Sequence, residues 1–503
     1  MAPLPHATFL AFCKTSCLSV LPRTRRALRG VSESSNPRSH ADRTVSLLSR
    51  SSLRAARTTW RATASAVASF SLIALALPLT ARADVSQAQI TRGEYLARAG
   101  DCAACHTVSG GKPFAGGLPM TTPMGKIYTT NITPDPTTGI GGYSEADFIR
   151  ALREGVAKDG HNLYPAMPYP SFAKVSDDDA KALYAYFMYG VSPVRQPNHV
   201  ADIPWPLNMR WPLKLWNAVF LDKHVFVAKG DHDAAWNRGA YLVQGLGHCG
   251  ACHTPRGVGF EEKALDESSK SYLSGSPIDN WFASNLSGDT NAGLGRWSEA
   301  DLTVFLSKGA NRHASAFGSM TDVINHSTQS LSDDDSKAIA RYIKTLAPAG
   351  RDDGAPYAYD PSQTIAMLGH PVGHSGAMTY TTLCLHCHGA DGKGYAPLFA
   401  PLAGNPNVLE SDPTSLINVT LNGTGSLVIG GMPAAYPMPA YHPSLDDQQV
   451  ADLLTFIRSA WNNHAPAVSA AQVAKLRKAT VDTRPGVAAT GIALQGSNTN
   501  ASQ

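Results

Sequence analysis

Three stretches of the chain share one five-residue pattern: Cys102-Ala103-Ala104-Cys105-His106, Cys249-Gly250-Ala251-Cys252-His253 and Cys384-Leu385-His386-Cys387-His388. Cysteines three residues apart sit on one face of a helical turn, so both sulfurs can bond the two vinyl groups of a single haem. The histidine that follows can direct an imidazole at the iron, and one turn of chain then supplies both tethers and an axial ligand. With 8 Cys and 17 His in 503 residues, chance placement would give about 0.004 copies of C-x-x-C-H. Three copies read as three sites of covalent c-type haem attachment.

Two other chemistries use paired cysteines, and both fit worse. Structural zinc gathers four ligands at one point, from cysteine pairs spaced roughly 15 to 20 residues apart; here the copies lie more than 130 residues from one another. A thioredoxin-like dithiol does not require a histidine after every pair. Only Cys13 and Cys17 fall outside the motifs, so no disulfide framework remains for the folded part.

A sixth iron ligand is expected from the loop before the last helix of each haem unit. The first candidate is Met167, in Tyr164-Pro165-Ala166-Met167-Pro168-Tyr169-Pro170, and the third is Met438, in Tyr436-Pro437-Met438-Pro439-Ala440. Flanking prolines fix φ and remove backbone donors, which stiffens a loop that must hold a weak thioether ligand. Met432 competes in the third unit, and Met120 and Met124 more weakly in the first. The second unit departs from the pattern: Gly318-Ser319-Met320-Thr321 lacks prolines, yet it holds the candidate Met320, with His313 and His326 as substitutes. His248 and His386 are too close to the tethers to reach round a haem and read as packed or exposed side chains.

The elements that position these groups repeat as well. Arg92-Gly93-Glu94-Tyr95-Leu96 precedes the first motif and Arg238-Gly239-Ala240-Tyr241-Leu242 the second. Residues 131–142 followed by Tyr143-Ser144-Glu145-Ala146-Asp147 match residues 285–296 followed by Trp297-Ser298-Glu299-Ala300-Asp301, so the first two units look duplicated. Serine three residues before an acid predicts helix starts at Ser144, Ser298, Ser176, Ser332 and Ser444. The last three open closing helices with one apolar stripe each: Ala180, Leu183, Tyr184, Phe187; Ile339, Tyr342, Ile343, Leu346; and Val450, Leu453, Leu454, Ile457. An aromatic recurs at the matching place, Tyr186, Tyr342 and Phe456. Between the first two units, residues 203–220 carry Trp205, Trp211 and Trp216. These suit either packing between units, slightly favoured, or a membrane or subunit contact. After Trp461, a short helix over 469–478 leads to a polar tail expected to be disordered.

The N-terminus reads as an export signal with a long extension. Arg54, Arg57 and Arg61 precede an apolar run over 62–79 that ends in Ala81-Arg82-Ala83, a small-x-small cleavage pattern, so the mature chain is expected near Asp84. Arg25-Arg26 is too far from that run for a twin-arginine signal. The first 83 residues hold 12 Lys and Arg against 2 acids, so the +4 of the whole chain leaves −6 on the rest. The basic balance belongs to the leader, which argues against a nucleic-acid partner. No later apolar run is of membrane-spanning length.

At this point a resemblance becomes specific. Thr130-Asn131-Ile132-Thr133-Pro134-Asp135, the Gly139-Ile140-Gly141 turn, Asp147-Phe148 and Leu163-Tyr164-Pro165-Ala166-Met167-Pro168-Tyr169 resemble the tri-haem cytochrome c subunit of bacterial membrane-bound dehydrogenases. That family serves flavin-dependent gluconate, sorbitol and related sugar-acid dehydrogenases and quinoprotein alcohol dehydrogenases. The likeness implies an all-α fold of three tandem class I cytochrome c-like domains, each built around a covalent haem. They are expected at 84–200, 232–350 and 370–463, with linkers at 201–231 and 351–369 and a tail at 464–503. It implies haem tethers at Cys102, Cys105, Cys249, Cys252, Cys384 and Cys387, and axial ligands His106 with Met167, His253 with Met320, and His388 with Met438.

The function implied is an electron wire on the periplasmic side of the cytoplasmic membrane, peripherally attached to the membrane surface. A flavin or PQQ catalytic subunit oxidises an alcohol, aldehyde or sugar acid, this chain carries the electrons, ubiquinone receives them, and the complex has room for a small third subunit. The residues agree. His/Met ligation leaves no open position for substrate, thioether sulfur raises the potential, and no flavin fingerprint, nicotinamide-type turn or nucleophile constellation is present. Two other readings stand: a cytochrome subunit for a molybdenum aldehyde or N-heterocycle dehydrogenase or another respiratory enzyme, and a haem peroxidase. The last needs a haem without a sixth protein ligand, for which the second, with Met320, is the place to look.

Overall fold

The computed structural model describes residues 85–351 and 354–480. The export signal read in residues 1–83 and the polar tail over 481–503 lie outside them. The described chain is largely helical with few strands, and its apolar side chains gather into three separate main cores, one per motif. We refer to the parts around them as lobes 1, 2 and 3.

Each lobe is built on a crossing of its first and last helices, and a glycine sets how close they come. Gly93 of helix Gln87–Ala99, Gly239 of helix Ala234–Tyr241 and Gly376 of helix Ser375–Leu383 face helices Asp177–Ala185, Asp333–Lys344 and Asp447–Ser459. A Cβ added at these glycines would stand 1.9 Å from the Ala182 carbonyl oxygen, 2.0 Å from that of Ala338 and 2.3 Å from that of Asp452. It would also press on the Cβ of Tyr186, Tyr342 and Phe456, the aromatics that recur in the sequence. Backbone thus packs on backbone, which no other residue type permits. Of the three predicted stripes, all side chains are buried except that of Tyr184, whose hydroxyl donates to the Tyr143 carbonyl at 3.1 Å.

The expected helix starts occur with one correction. Ser144 and Ser298 form reciprocal capping boxes with Asp147 and Asp301. Ser176 and Ser332 accept from the amides of Asp179 and Asp335, whose carboxylates turn elsewhere. In lobe 3 the cap is Asp446, paired with Gln449, and not Ser444. An ionised carboxylate at the positive end of the helix dipole is the stronger acceptor there. Three two-stranded antiparallel hairpins, not anticipated from sequence, pair Pro119–Thr122 with Gly125–Tyr128, Ser276–Ile278 with Trp281–Ala283, and Val428–Ile429 with Met432–Pro433.

Lobes 1 and 2 lock together reciprocally. Asp179 of lobe 1 accepts from Arg92 Nε of its own lobe at 2.8 Å and from the Tyr241 hydroxyl of lobe 2 at 2.6 Å. Asp335 of lobe 2 accepts from Arg238 Nε of its own lobe at 2.7 Å and from the Tyr95 hydroxyl of lobe 1 at 2.6 Å. Each tyrosine oxygen also accepts a backbone amide, from Ser176 or Ser332 respectively. The two Arg-Gly-x-Tyr repeats are therefore the two halves of a pseudo-two-fold contact.

Lobe 3 joins lobe 2 differently. The Phe282 amide donates to Ser415 Oγ at 2.9 Å, Asn418 Nδ2 donates to the Asn280 carbonyl at 2.8 Å, and Ser284 Oγ donates to Asn407 Oδ1 at 2.6 Å. A further helix, Ala470–Ala479, is capped at Ser469 as expected and adds Val473 and Leu476 to the third core. Among the described residues no helix is long and apolar enough to cross a membrane.

The Trp-rich segment divides its roles. Trp216 packs inward, its indole N–H donating to the Gly259 carbonyl at 2.8 Å. Trp205 and Trp211 are 78% and 68% exposed, so packing between lobes accounts for only one of the three.

Candidate haem sites

Each motif occupies one helical turn. Cys102–His106 forms the first, and Gly250–His253 and Leu385–His388 the others, with Cys249 and Cys384 at their N-caps. Among the described residues the six cysteines form no disulfide. Burial pushes the thiols of Cys102, Cys105, Cys249 and Cys384 up to about 12 and that of Cys252 to about 11. A redox dithiol needs the reverse, and among the described residues no group of three or more His, Cys, Asp and Glu is placed to hold a metal ion.

The three motif imidazoles are oriented alike. Nδ1 of His106 lies 2.7 Å from the Thr130 carbonyl oxygen, Nδ1 of His253 lies 2.7 Å from that of Ser284, and Nδ1 of His388 lies 2.9 Å from that of Ala400. A carbonyl can only accept, so Nδ1 carries the proton and donates, and Nε2 presents its lone pair. Burial lowers all three imidazole pKa values, against the smaller raising effect of the carbonyl bond, which keeps the rings neutral and able to ligate.

A cavity of about 490 Å³ runs between lobes 1 and 2, within the span of cofactor pockets. Cys105 of the first motif lines it together with Cys249, Cys252 and His253 of the second, so cysteines of two motifs open into one space. Met320 lines it too, which brings that methionine and His253 to the same cavity. The wall is mainly apolar, but the Trp297 indole N–H is buried there without a partner among the described residues. A large, flat, apolar group with a polar edge fits such a lining, as haem is.

Met320 stands in the first turn of helix Ser319–His326, not in a loop. Its approach is fixed by Gly318, at φ 56°, where a Cβ would come within 2.9 Å of the Trp281 ring; glycine geometry replaces the prolines. Its rivals are engaged elsewhere. His313 stacks on Trp297 with Nε2 3.4 Å from Asp301, and His326 is exposed with Nδ1 bonded to the Asp322 carbonyl.

Met167 packs against the first core, and its loop is tied down beyond its prolines. The Tyr169 amide donates to the Met167 carbonyl at 2.8 Å, the Tyr169 hydroxyl to Asn217 Oδ1 at 2.7 Å, and the Arg210 guanidinium covers the Tyr164 ring at 3.6 Å. Met120 lines the shared cavity, whereas Met124 is exposed. In lobe 3 the backbone of Met438 exchanges two bonds with Thr424. A Cβ on Gly423 would stand 2.4 Å from the Met438 carbonyl. Met432 is 70% exposed. His248 stacks on Phe172 and His386 is exposed, the roles expected of them.

Three buried acids in the cavity wall escaped sequence reasoning. Asp101 and Asp322 are raised by burial, Asp101 further by the neighbouring Asp322 charge, and Asp322 to about 7; Glu262 also rises to about 7. Nothing in their local sequence marks them, because the second lobe's fold is what buries them.

A profile of the cytochrome c family matches residues 90–189, 237–347 and 374–461. The chain belongs to the cytochrome c family. It is 55% identical over 78% of its length to the gluconate 2-dehydrogenase cytochrome c subunit of Pantoea cypripedii, of which 90% is covered. It is 50% identical over 82% of its length to the cytochrome c subunit of the quinone alcohol dehydrogenase of Gluconacetobacter polyoxogenes, of which 88% is covered. A nicotinate dehydrogenase component of Pseudomonas putida is 42% identical over 76% of this chain, which spans 31% of that protein. Membership implies covalently bound haem c.

Proposed function

We propose that this cytochrome c is the tri-haem electron-transfer subunit of a membrane-bound dehydrogenase complex, on the periplasmic side of the membrane. The observation that carries the reading is the uniform setting of the three motif imidazoles, each with Nδ1 bonded to a carbonyl and Nε2 free. Cys102 and Cys105, Cys249 and Cys252, and Cys384 and Cys387 tether the groups. His106 with Met167, His253 with Met320, and His388 with Met438 hold the irons. Bound haem supplies one-electron iron chemistry. These cysteines, histidines and methionines would bind and orient it.

The catalytic partner is a flavin or PQQ dehydrogenase acting on an alcohol, aldehyde or sugar acid, and the electrons leave to ubiquinone. The likeness to gluconate 2-dehydrogenase and quinone alcohol dehydrogenase subunits supports this. A second reading, service to an N-heterocycle dehydrogenase, has the nicotinate dehydrogenase likeness in its favour. Purification from the native membrane separates them. A flavin or PQQ subunit at fixed stoichiometry, with three low-spin haems reduced by one sugar acid or alcohol, is the expected result. A molybdenum partner selects the second reading, and a lone chain with a high-spin, peroxide-reactive haem overturns both.

A further inference from the structure

Helix Pro212–Phe220 is apolar on two faces, and among the described residues only one has a partner. Inward, Trp216 meets the Tyr169 ring edge-on at 6.2 Å, and Asn217 bridges from the Tyr169 hydroxyl to the Glu154 carbonyl. These contacts fix the helix on lobe 1. Outward, Trp211, Leu215 and Val219 recur every four residues along one stripe, and the last two are each 65% exposed. Trp205 and Leu207 extend the same exposed segment. Isolated exposed apolar residues are ordinary, but a helical stripe preceded by a second exposed tryptophan marks a contact surface.

Charge decides what kind of surface it meets. The chain after residue 83 carries −6, yet no acid occurs between Asp202 and Asp222, where Arg210 and Lys214 stand. Arg210 is held against Tyr164, whereas Lys214 is exposed and, among the described residues, has no acidic partner. The acids at the far end of the helix are engaged, Asp222 with His224 and Glu154 with Lys223. A helix with Trp and Leu outward beside lysine, on an otherwise acidic body, is the make-up of an interfacial membrane helix, in which tryptophan settles at headgroup level.

We infer that residues 204–220 are the lipid seat of this subunit, with Trp211, Leu215 and Val219 entering the headgroup–acyl boundary of an anionic bilayer and Lys214 meeting lipid phosphate. This deepens the membrane-complex reading and rests on it. It also places the shared cavity beside the membrane, since Trp216 and Phe220 of the same helix line that cavity.

The test is flotation of the purified haem-loaded full chain with vesicles of phosphatidylcholine containing about one-third phosphatidylglycerol, and with phosphatidylcholine alone. The combined variant Trp211→Gln, Leu215→Gln, Val219→Gln should lose roughly tenfold or more of its vesicle partitioning, with haem absorption and circular dichroism unchanged. Lys214→Glu should weaken binding to the anionic vesicles alone, by roughly fivefold. A wild-type chain that stays at the bottom of the gradient overturns the inference, as does a combined variant that floats equally well. Loss of the dehydrogenase subunit from the variant, without loss of flotation, overturns it in favour of a protein contact. Haem reduction through the co-purified dehydrogenase, measured on the same preparations, tests the function reading separately.

Discussion

Lobes 1 and 2 and lobe 3 share one helix crossing and put it to different uses. In the first two, the residue before the crossing glycine is arginine and the one two after it is tyrosine. In lobe 3 these places hold Ser375 and Met378, and Gln449 stands where the others have Asp179 and Asp335. Ser375 accordingly turns to Asp452 of its own lobe at 2.5 Å, and Met378 is left 42% exposed. The glycine and the aromatic beneath it make the lobe, whereas the arginine, tyrosine and aspartate make the pairing. The third lobe keeps the first set and lacks the second. It also adds little to the shared cavity, whose wall takes Pro406, Asn407 and Ser415 from lobe 3 and the rest chiefly from lobes 1 and 2.

Breaking what all three lobes share should have the largest effect. Gly93→Ala, Gly239→Ala or Gly376→Ala forces a methyl into a backbone carbonyl, and each should cost roughly 3 kcal/mol or more, seen as loss of soluble, haem-loaded protein and a lower unfolding temperature. If Gly376→Ala alone were tolerated, the common-crossing account would fail. Next in size are the methionines proposed as axial ligands. Met167→Ala or Met320→Ala should each turn one of three haems high-spin and lower its potential by part of the roughly 0.8 V that axial ligands span, in potentiometric titration. Met120→Ala should leave the spin state alone, and an unchanged spectrum for Met320→Ala would return the second site to the peroxidase reading.

The pairing contact should show smaller effects confined to lobes 1 and 2. Tyr95→Phe and Tyr241→Phe each remove a hydroxyl bound to a buried carboxylate that keeps its arginine, a loss of about 1–2 kcal/mol each, measured by denaturant midpoint. Met378→Leu in lobe 3 should stay within about 0.5 kcal/mol. The smallest effect is a pH slope. Glu262 has a folded pKa of about 7 against an ordinary 4.5, so the native state holds the extra proton between those values. Its contribution is complete at low pH and is lost as pH rises toward 7. Glu262→Gln should flatten stability across that window, and an unchanged slope between pH 5 and 8, read by urea midpoints, would show the carboxyl to be solvated.

The sequence by itself determined the local chemistry. Two cysteines and a histidine fit one helical turn, serine and acid three apart cap a helix, and an apolar stripe at helical spacing packs a core; each depends on residues within a few positions of one another. That is why Met167 and Met438 stood out beside their prolines, and Met320, with none, stood out less. The capping error at Ser444 arose because Asp446 competes two residues later, and only backbone geometry chooses between them. What lies far apart in the chain was left to the tertiary structure. The carbonyls that hold the imidazoles come 24, 31 and 12 residues after them. Tyr95 meets Asp335 across 240 positions, and the buried acids of the cavity share a wall built from residues far apart in the chain. The same holds for the Trp-rich segment, where composition showed that its tryptophans need an apolar partner, and only the packing of Trp216 against lobe 1 separated the one already covered from the two that still face outward.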